Sequence, residues 1–282
     1  MKINFFVIGG GKSGTSWLHD VISNHPQIIM SKPKELEIFL DSGCNGCNNI
    51  KKYFDGYNNE KIVGTSNPTH SEILHFPNVP KNIYEYNKKS KILFIVRNPL
   101  ERILSSYNQA IKNNHHLSSH YGEKMSINFF EALKNYPALI DANKYMTIVN
   151  AYKNYFGNNL LVLRFEEIVD RNQAGIKKIL SFLGVSIVEL DNNHKNINST
   201  KNQRREGKLY AALRKILGKR FGMIAPAFFK NKIRYFGRPA HEYKTNISNL
   251  EKRYIKDTLK DEIIGLYEYL GIKNDPWEFF KN

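Results

Sequence analysis

Residues 5–17, FFVIGGGKSGTSW, decide the fold. The apolar stretch Phe5–Ile8 runs straight into Gly9, Gly10 and Gly11, and Lys12, Ser13, Gly14, Thr15 and Ser16 follow. Such an apolar run is a buried strand, and the glycines let the backbone turn tightly and come close to a ligand. Thr15 opens a helical pattern to Asn24, so unpaired N–H groups and the positive end of a helix dipole meet the lysine and the hydroxyls. This grouping predicts a phosphate cradle. A turn that merely joins strand to helix explains the glycines, but not the cation and three hydroxyls at the same helix start.

Two common phosphate loops do not fit. A Walker A loop needs a glycine five residues before Gly11, where Phe6 stands. Gly9, Gly11 and Gly14 satisfy the dinucleotide spacing, but Glu35 and Glu37, the acidic residues downstream, do not close a second strand. The glycine pattern alone therefore names no ligand.

Further apolar, β-branched runs occur at 61–64, 91–96 and 159–164, beside the first at 3–8. Helical patterns cover 15–24, 99–113, 143–156, 174–183 and 250–270. Strands alternating with helices predict an α/β fold with a central parallel sheet flanked by helices in three layers. Ligands in such sheets bind at the carboxyl ends of strands, where the glycines lie. The 282 residues carry no long linker and read as a single domain, 1–282. Residues 41–60, rich in Asn, Gly and Lys, read as a surface loop.

A formal charge of +16 predicts an anionic partner, whether nucleotide, acidic glycan, nucleic acid or membrane surface. The apolar start after Lys2 is too short for a secretory segment, and no spanning stretch follows, so the expected location is cytoplasmic. Cys44 and Cys47 make half a zinc site at most and read as loop thiols or a local disulfide. No metal is expected.

A second motif, KILFIVRNPLERILSSYNQ, puts Arg97 at the end of a strand, Asn98 as a helix cap and Pro99 at the first helical position. Arg97 thus emerges on the same sheet edge as Lys12, and Ser105 lies two turns into the helix. An arginine with a hydroxyl suits a second phosphate. The competing reading of Arg97 is a surface ion pair with Glu101.

GKSGTSW and RNPLERILS, in this order, resemble the two nucleotide motifs of sulfotransferases that use 3′-phosphoadenosine 5′-phosphosulfate, and RFEEIVDRNQAGIKKILSFLGV and LYEYLGIKNDPW resemble later parts of that family. The resemblance covers 1–107 and 159–185 best. It implies a P-loop-NTPase-like fold and a donor site in which Gly11, Lys12, Ser13, Gly14, Thr15 and Ser16 hold the 5′-phosphosulfate. Lys12 would face the bridging oxygen, and Arg97 with Ser105 the 3′-phosphate. Trp17 would stack on adenine or pack in the core. Lys201 and Arg204, in NSTKNQRRE, would add phosphate contacts.

SKPKELEIFL resembles the P-K-E-x-H-F-F stretch of Golgi-type and bacterial carbohydrate sulfotransferases, whose Glu is the base, which makes Glu35 the candidate here. Glu37 stands where His is usual. IVGTSNPTH resembles the next family stretch, with Ser66 where some relatives carry a lysine and His70 as a second candidate base. The expected reaction is sulfuryl transfer to a hydroxyl or amine of a glycan or glycolipid. A P-loop-type nucleotide or sugar kinase is the first rival and predicts dependence on Mg²⁺. Nonspecific nucleic-acid binding is the second, although no nucleic-acid module is present. The basic-aromatic segment 208–238 reads as an ordinary surface, an acceptor lid or a peripheral membrane contact.

Overall fold

A computed structural model describes residues 1–40, 47–113, 115, 122–170, 172–190 and 245–281. They fall into two compact units, the first made of Met1–Ser106, Pro137–Ile197 and Ile247–Asn282, the second of Tyr107–Tyr136 and Asn198–Asn246.

The first unit is built on a parallel sheet of β1 (Phe5–Gly9), β2 (Ile28–Met30), β3 (Ile62–Ser66), β4 (Lys91–Val96) and β5 (Leu160–Arg164), in the order β2-β3-β1-β4-β5. Every residue of β1 and β3 is buried, which is why these strands read as continuous apolar runs instead of alternating ones. On one face, α1 (Thr15–Ile22) and α8 (Ala174–Leu183) seal a core that includes Phe5, Val7, Leu18, Val21, Leu93, Ile179 and Leu180. Burying each such side chain contributes roughly 1.5–3 kcal/mol. The unit also contains α2 (Val79–Tyr86), the start of α3 (Pro99–Lys112), α5 (Ala138–Asp141), α6 (Tyr145–Phe156), α7 (Phe165–Ile168) and α9 (Asn249–Leu270). Of these, α6 contacts both β4 and β5, and α9 contacts α6.

The chain leaves β1 toward β2, returns through β3, then crosses β1 to reach β4, so the strand order reverses beside β1. The loop after β1 therefore opens at the switch point, between the ends of β3 and β4, where such sheets bind ligands.

In the second unit, α4 (Phe129–Asn135) begins at Asn128, whose side chain accepts from the Glu131 N–H at 3.1 Å. Tyr107 packs against Phe129 with ring centres 4.7 Å apart and donates its hydroxyl proton to the Ile127 carbonyl.

The expected strands match β1, β3, β4 and β5 to within two residues at each end, and the five expected helices appear, with 174–183 matching α8. Sequence reading missed β2, whose three residues are too few to show a period, and α2. The segment read as a loop at 41–60 contains a 3-10 turn at Cys47–Tyr53 with a non-helical break at Asn49.

Candidate active site

The glycines after β1 are needed where they stand. At Gly9, φ is +147° and a Cβ would lie 2.5 Å from Ser71 Oγ. The Gly10 N–H donates to the Ile95 carbonyl at 2.7 Å, tying the loop to β4, and the Ser13 N–H returns to the Gly10 carbonyl at 3.2 Å. Gly14 caps α1 in the left-handed region at φ 78°, and Lys12 also lies there at φ 64°. Ser13 is fully buried, and its hydroxyl has no hydrogen-bond partner among the described residues. A buried orphan hydroxyl beside a helix start that carries Thr15 and Ser16 is what a phosphate group would satisfy.

The second motif meets this loop directly. Arg97 Nη1 donates to the Lys12 carbonyl at 3.0 Å, and its guanidinium lies 4.9 Å from the centre of the Phe165 ring. The ion pair with Glu101 is also present, with Nη2 2.7 Å and Nε 3.1 Å from Oε2. The two readings of Arg97 thus coexist in one side chain. Asn98 caps α3 as expected, its Oδ1 accepting from the Leu100 N–H at 3.0 Å. From below, the Tyr145 hydroxyl donates to the Arg97 carbonyl at 2.7 Å, and burial pushes that phenol up to about 12. Ser105 lies half-buried on α3.

Arg102 was missed. It is buried, donates from Nε to the Gly11 carbonyl at 2.7 Å, and sits 3.0 Å from where a Cβ on Gly10 would be. Burial lowers its pKa, opposed by Tyr145 and Glu72. It lies four positions after Asn98, one turn past the cap on the buried side of α3, and nothing in the sequence sets it apart from other helical arginines.

Glu35 follows β2 in a turn pinned on both sides. The Lys34 carbonyl accepts from Ser31 Oγ at 3.2 Å, Thr65 Oγ1 at 3.2 Å and the Ser66 N–H at 3.3 Å, while Asn67 Nδ2 donates to the Leu36 carbonyl at 2.8 Å. The Glu35 side chain is exposed and pairs with Lys34 Nζ at 2.9 Å. Lys34 Nζ also reaches Ser16 Oγ at 2.9 Å and Thr15 Oγ1 at 3.5 Å, bringing the Glu35 turn against the phosphate loop. Glu37 is exposed.

His70, the second candidate base, is sealed inside the fold. It is fully buried between Phe6 and Phe39, and burial drives its pKa down to about 3. Neither ring nitrogen has a hydrogen bond of full geometry, and the nearby Leu36 backbone opposes the shift. Trp17 packs, half-buried, on the core of the α1 face. Lys201, Arg204, the segment 208–238 and Cys44 lie outside the described residues. Among the described residues, no cluster of three or more His, Cys, Asp or Glu side chains is placed to hold a metal ion.

The glycine loop after β1, Arg97 just after β4 and the Lys34-Glu35 turn after β2 thus meet at the carboxyl ends of the strands. The chain matches the sulfotransferase domain family over residues 2–220 and belongs to it. It is 34% identical over 112 residues to the membrane-associated sulfotransferase kil1 of Dictyostelium discoideum, covering 39% of this chain and 23% of that one. It is 30% identical over 129 residues to mouse heparan sulfate glucosamine 3-O-sulfotransferase 5, covering 43% and 35%. The chain spans about half or less of the length of the curated relatives it matches. Among solved structures, a sulfotransferase from Alicyclobacillus acidocaldarius aligns with TM-score 0.55 at 22% identity, over 82% of this chain and 99% of that one. Mouse sulfotransferase SULT7A1, complexed with PAP, aligns with TM-score 0.52 at 14% identity, over 96% and 89%. The fold is the P-loop-NTPase-like one that sulfotransferases share.

Proposed function

We propose that this enzyme moves the sulfuryl group of 3′-phosphoadenosine 5′-phosphosulfate to a hydroxyl or amine of a glycan or glycolipid, with the whole chain acting as one sulfotransferase domain. The observation that carries the reading is the 3.0 Å contact between Arg97 and the Lys12 carbonyl, which brings the loop after β1 against the end of β4. Gly11, Lys12, Ser13, Gly14, Thr15 and Ser16 hold the 5′-phosphosulfate, and Arg97 with Ser105 holds the 3′-phosphate. Glu35 accepts the proton of the acceptor as its oxygen or nitrogen attacks sulfur. The sulfur–oxygen bond to the 5′-phosphate breaks, and the electron pair stays on the phosphate oxygen, which Lys12 faces. Loop amides and the lysine offset that charge.

The glycan assignment draws support from the heparan sulfate relative, and a membrane-peripheral placement draws support from kil1. No helix among the described residues is long and apolar enough to cross a membrane.

Calorimetry with adenosine 3′,5′-bisphosphate, with and without Mg²⁺, tests the reading. The parent should bind without metal, and Arg97→Ala should weaken binding by about 2–5 kcal/mol, as for a truncated charge pair. Equal affinity of the parent for adenosine 5′-monophosphate overturns it.

A further inference from the structure

Lys34 has no role in the reading above, yet its ammonium lies against Ser16 and Thr15, two hydroxyls that reading gives to the 5′-phosphosulfate. We infer that Lys34 is a second cation of the donor site, acting beside Lys12 on the 5′-phosphosulfate; this rests on the donor reading just proposed. The inference stands on three observations.

The first is contact. Lys34 Nζ donates to Ser16 Oγ at 2.9 Å and lies 3.5 Å from Thr15 Oγ1, the two hydroxyls that open α1. A serine hydroxyl that accepts from an ammonium keeps its own hydrogen for another acceptor, so Ser16 is left ready to donate to an anion. The ammonium meanwhile stands beside the first residues of α1, where the helix dipole also favours an anion.

The second is anchorage. Ser31 Oγ, Thr65 Oγ1 and the Ser66 N–H all lie within 3.3 Å of the Lys34 carbonyl, and the two hydroxyl oxygens lie 3.0 Å from each other. The backbone that launches this side chain is thus fixed to the end of β3. Ser66, fully buried, cannot itself send a cation to the loop, and Lys34 emerges from the turn bonded to it.

The third is charge. The Lys34 side chain is only 20% exposed, and the charged group facing it is Glu35, at 2.9 Å. His19, on the buried side of α1, is held neutral chiefly by burial and secondly by Lys34, with its pKa lowered to about 4. A lysine ammonium beside the start of α1, with one half-exposed carboxylate against it, has spare positive potential for a ligand. During transfer it would offset the charge left on the 5′-phosphate oxygen as the sulfur–oxygen bond breaks, while Glu35, its partner, takes the acceptor proton.

Calorimetry without metal on the parent, Lys34→Met and Lys34→Arg tests this, with adenosine 3′,5′-bisphosphate and adenosine 3′-monophosphate as probes. Lys34→Met should weaken the bisphosphate at least tenfold and leave the 3′-monophosphate within twofold, and Lys34→Arg should recover most of the loss. The unchanged 3′-monophosphate affinity serves as the internal check on folding. Bisphosphate binding equal to the parent, or an equal loss for both probes, overturns the role of Lys34 alone. A parent that fails to prefer the bisphosphate over adenosine 5′-monophosphate overturns the donor reading itself.

Discussion

Phe165 presses its ring against Gly14 so closely that a Cβ built on the glycine would lie 2.7 Å from Cε2 and 3.0 Å from Cδ2. The same ring carries the Arg97 guanidinium at 4.9 Å, so one aromatic residue just after β5 supports both the loop after β1 and the end of β4. Gly14 is held in the left-handed region as well, which an L side chain enters at a cost of about 1–2 kcal/mol. Gly14→Ala should therefore displace Phe165 and loosen Arg97. The expected outcome is a loss of adenosine 3′,5′-bisphosphate affinity of tenfold or more, with a melting temperature a few degrees lower. Unchanged affinity would show that the ring yields freely.

Glu101 holds the edge of Arg97 that a 3′-phosphate would use, with both contacts made to one carboxylate oxygen. The carboxylate is 58% exposed, so the pair itself is worth little, on the order of 0–1 kcal/mol. Removing its charge takes away a competitor and a repulsion against the incoming phosphate. Glu101→Gln should bind adenosine 3′,5′-bisphosphate several-fold tighter, an effect that shrinks at high salt. A weaker-binding variant would mean that Glu101 orients Arg97 instead of competing for it.

Glu35 sits between two anchored carbonyls, those of Lys34 and Leu36, so its position is set by backbone rather than by its exposed side chain. Glu35→Gln keeps the shape and removes the proton acceptor. A positioned base contributes about 10²–10⁴-fold, so turnover should fall by that factor while affinity for adenosine 3′,5′-bisphosphate stays within a few-fold. A wild-type rate in the variant removes Glu35 from the chemistry.

The strands and the glycine turn after β1 were legible because burial on both faces leaves an unmistakable signal. Phe5, Phe6, Val7 and Ile8 are all fully buried, and the sequence there has no polar residue to confuse the pattern. Arg97 was legible because a charge directly after such a strand must leave the sheet at its edge. Arg102 and Lys34 were not. Arg102 looks like any helical arginine until Gly11 comes within 2.7 Å, a contact made by parallel pairing of distant strands. Lys34 reads as part of a solvated Lys-Glu-x-Glu turn, and only β2, three residues long and invisible in the pattern, brings it to Ser16. The burial of His70 was hidden for the opposite reason: nothing in IVGTSNPTH shows that its ring turns inward against Phe39, 6.0 Å away.

That inward turn has a thermodynamic consequence. His70 and His19 are both buried, with pKa values lowered to about 3 and about 4, against an ordinary 6.5 in the unfolded chain. Between those values and 6.5 the unfolded chain binds protons that the folded chain refuses, so acid favours unfolding there. Stability is complete above about pH 7, declines as pH falls through 6.5, and the contribution of His19 is exhausted below about pH 4, that of His70 below about pH 3. Each histidine adds a slope approaching about 1.4 kcal/mol per pH unit within its window. Urea unfolding at pH 7.5, 5.5 and 4.5 should show this decline, and His70→Leu should flatten it by roughly 1 kcal/mol per pH unit while carboxylate effects, common to both proteins, cancel in the difference. Parallel pH profiles for parent and variant would mean that His70 takes up its proton in the folded protein as readily as in the unfolded chain, and that its ring is not sealed between Phe6 and Phe39.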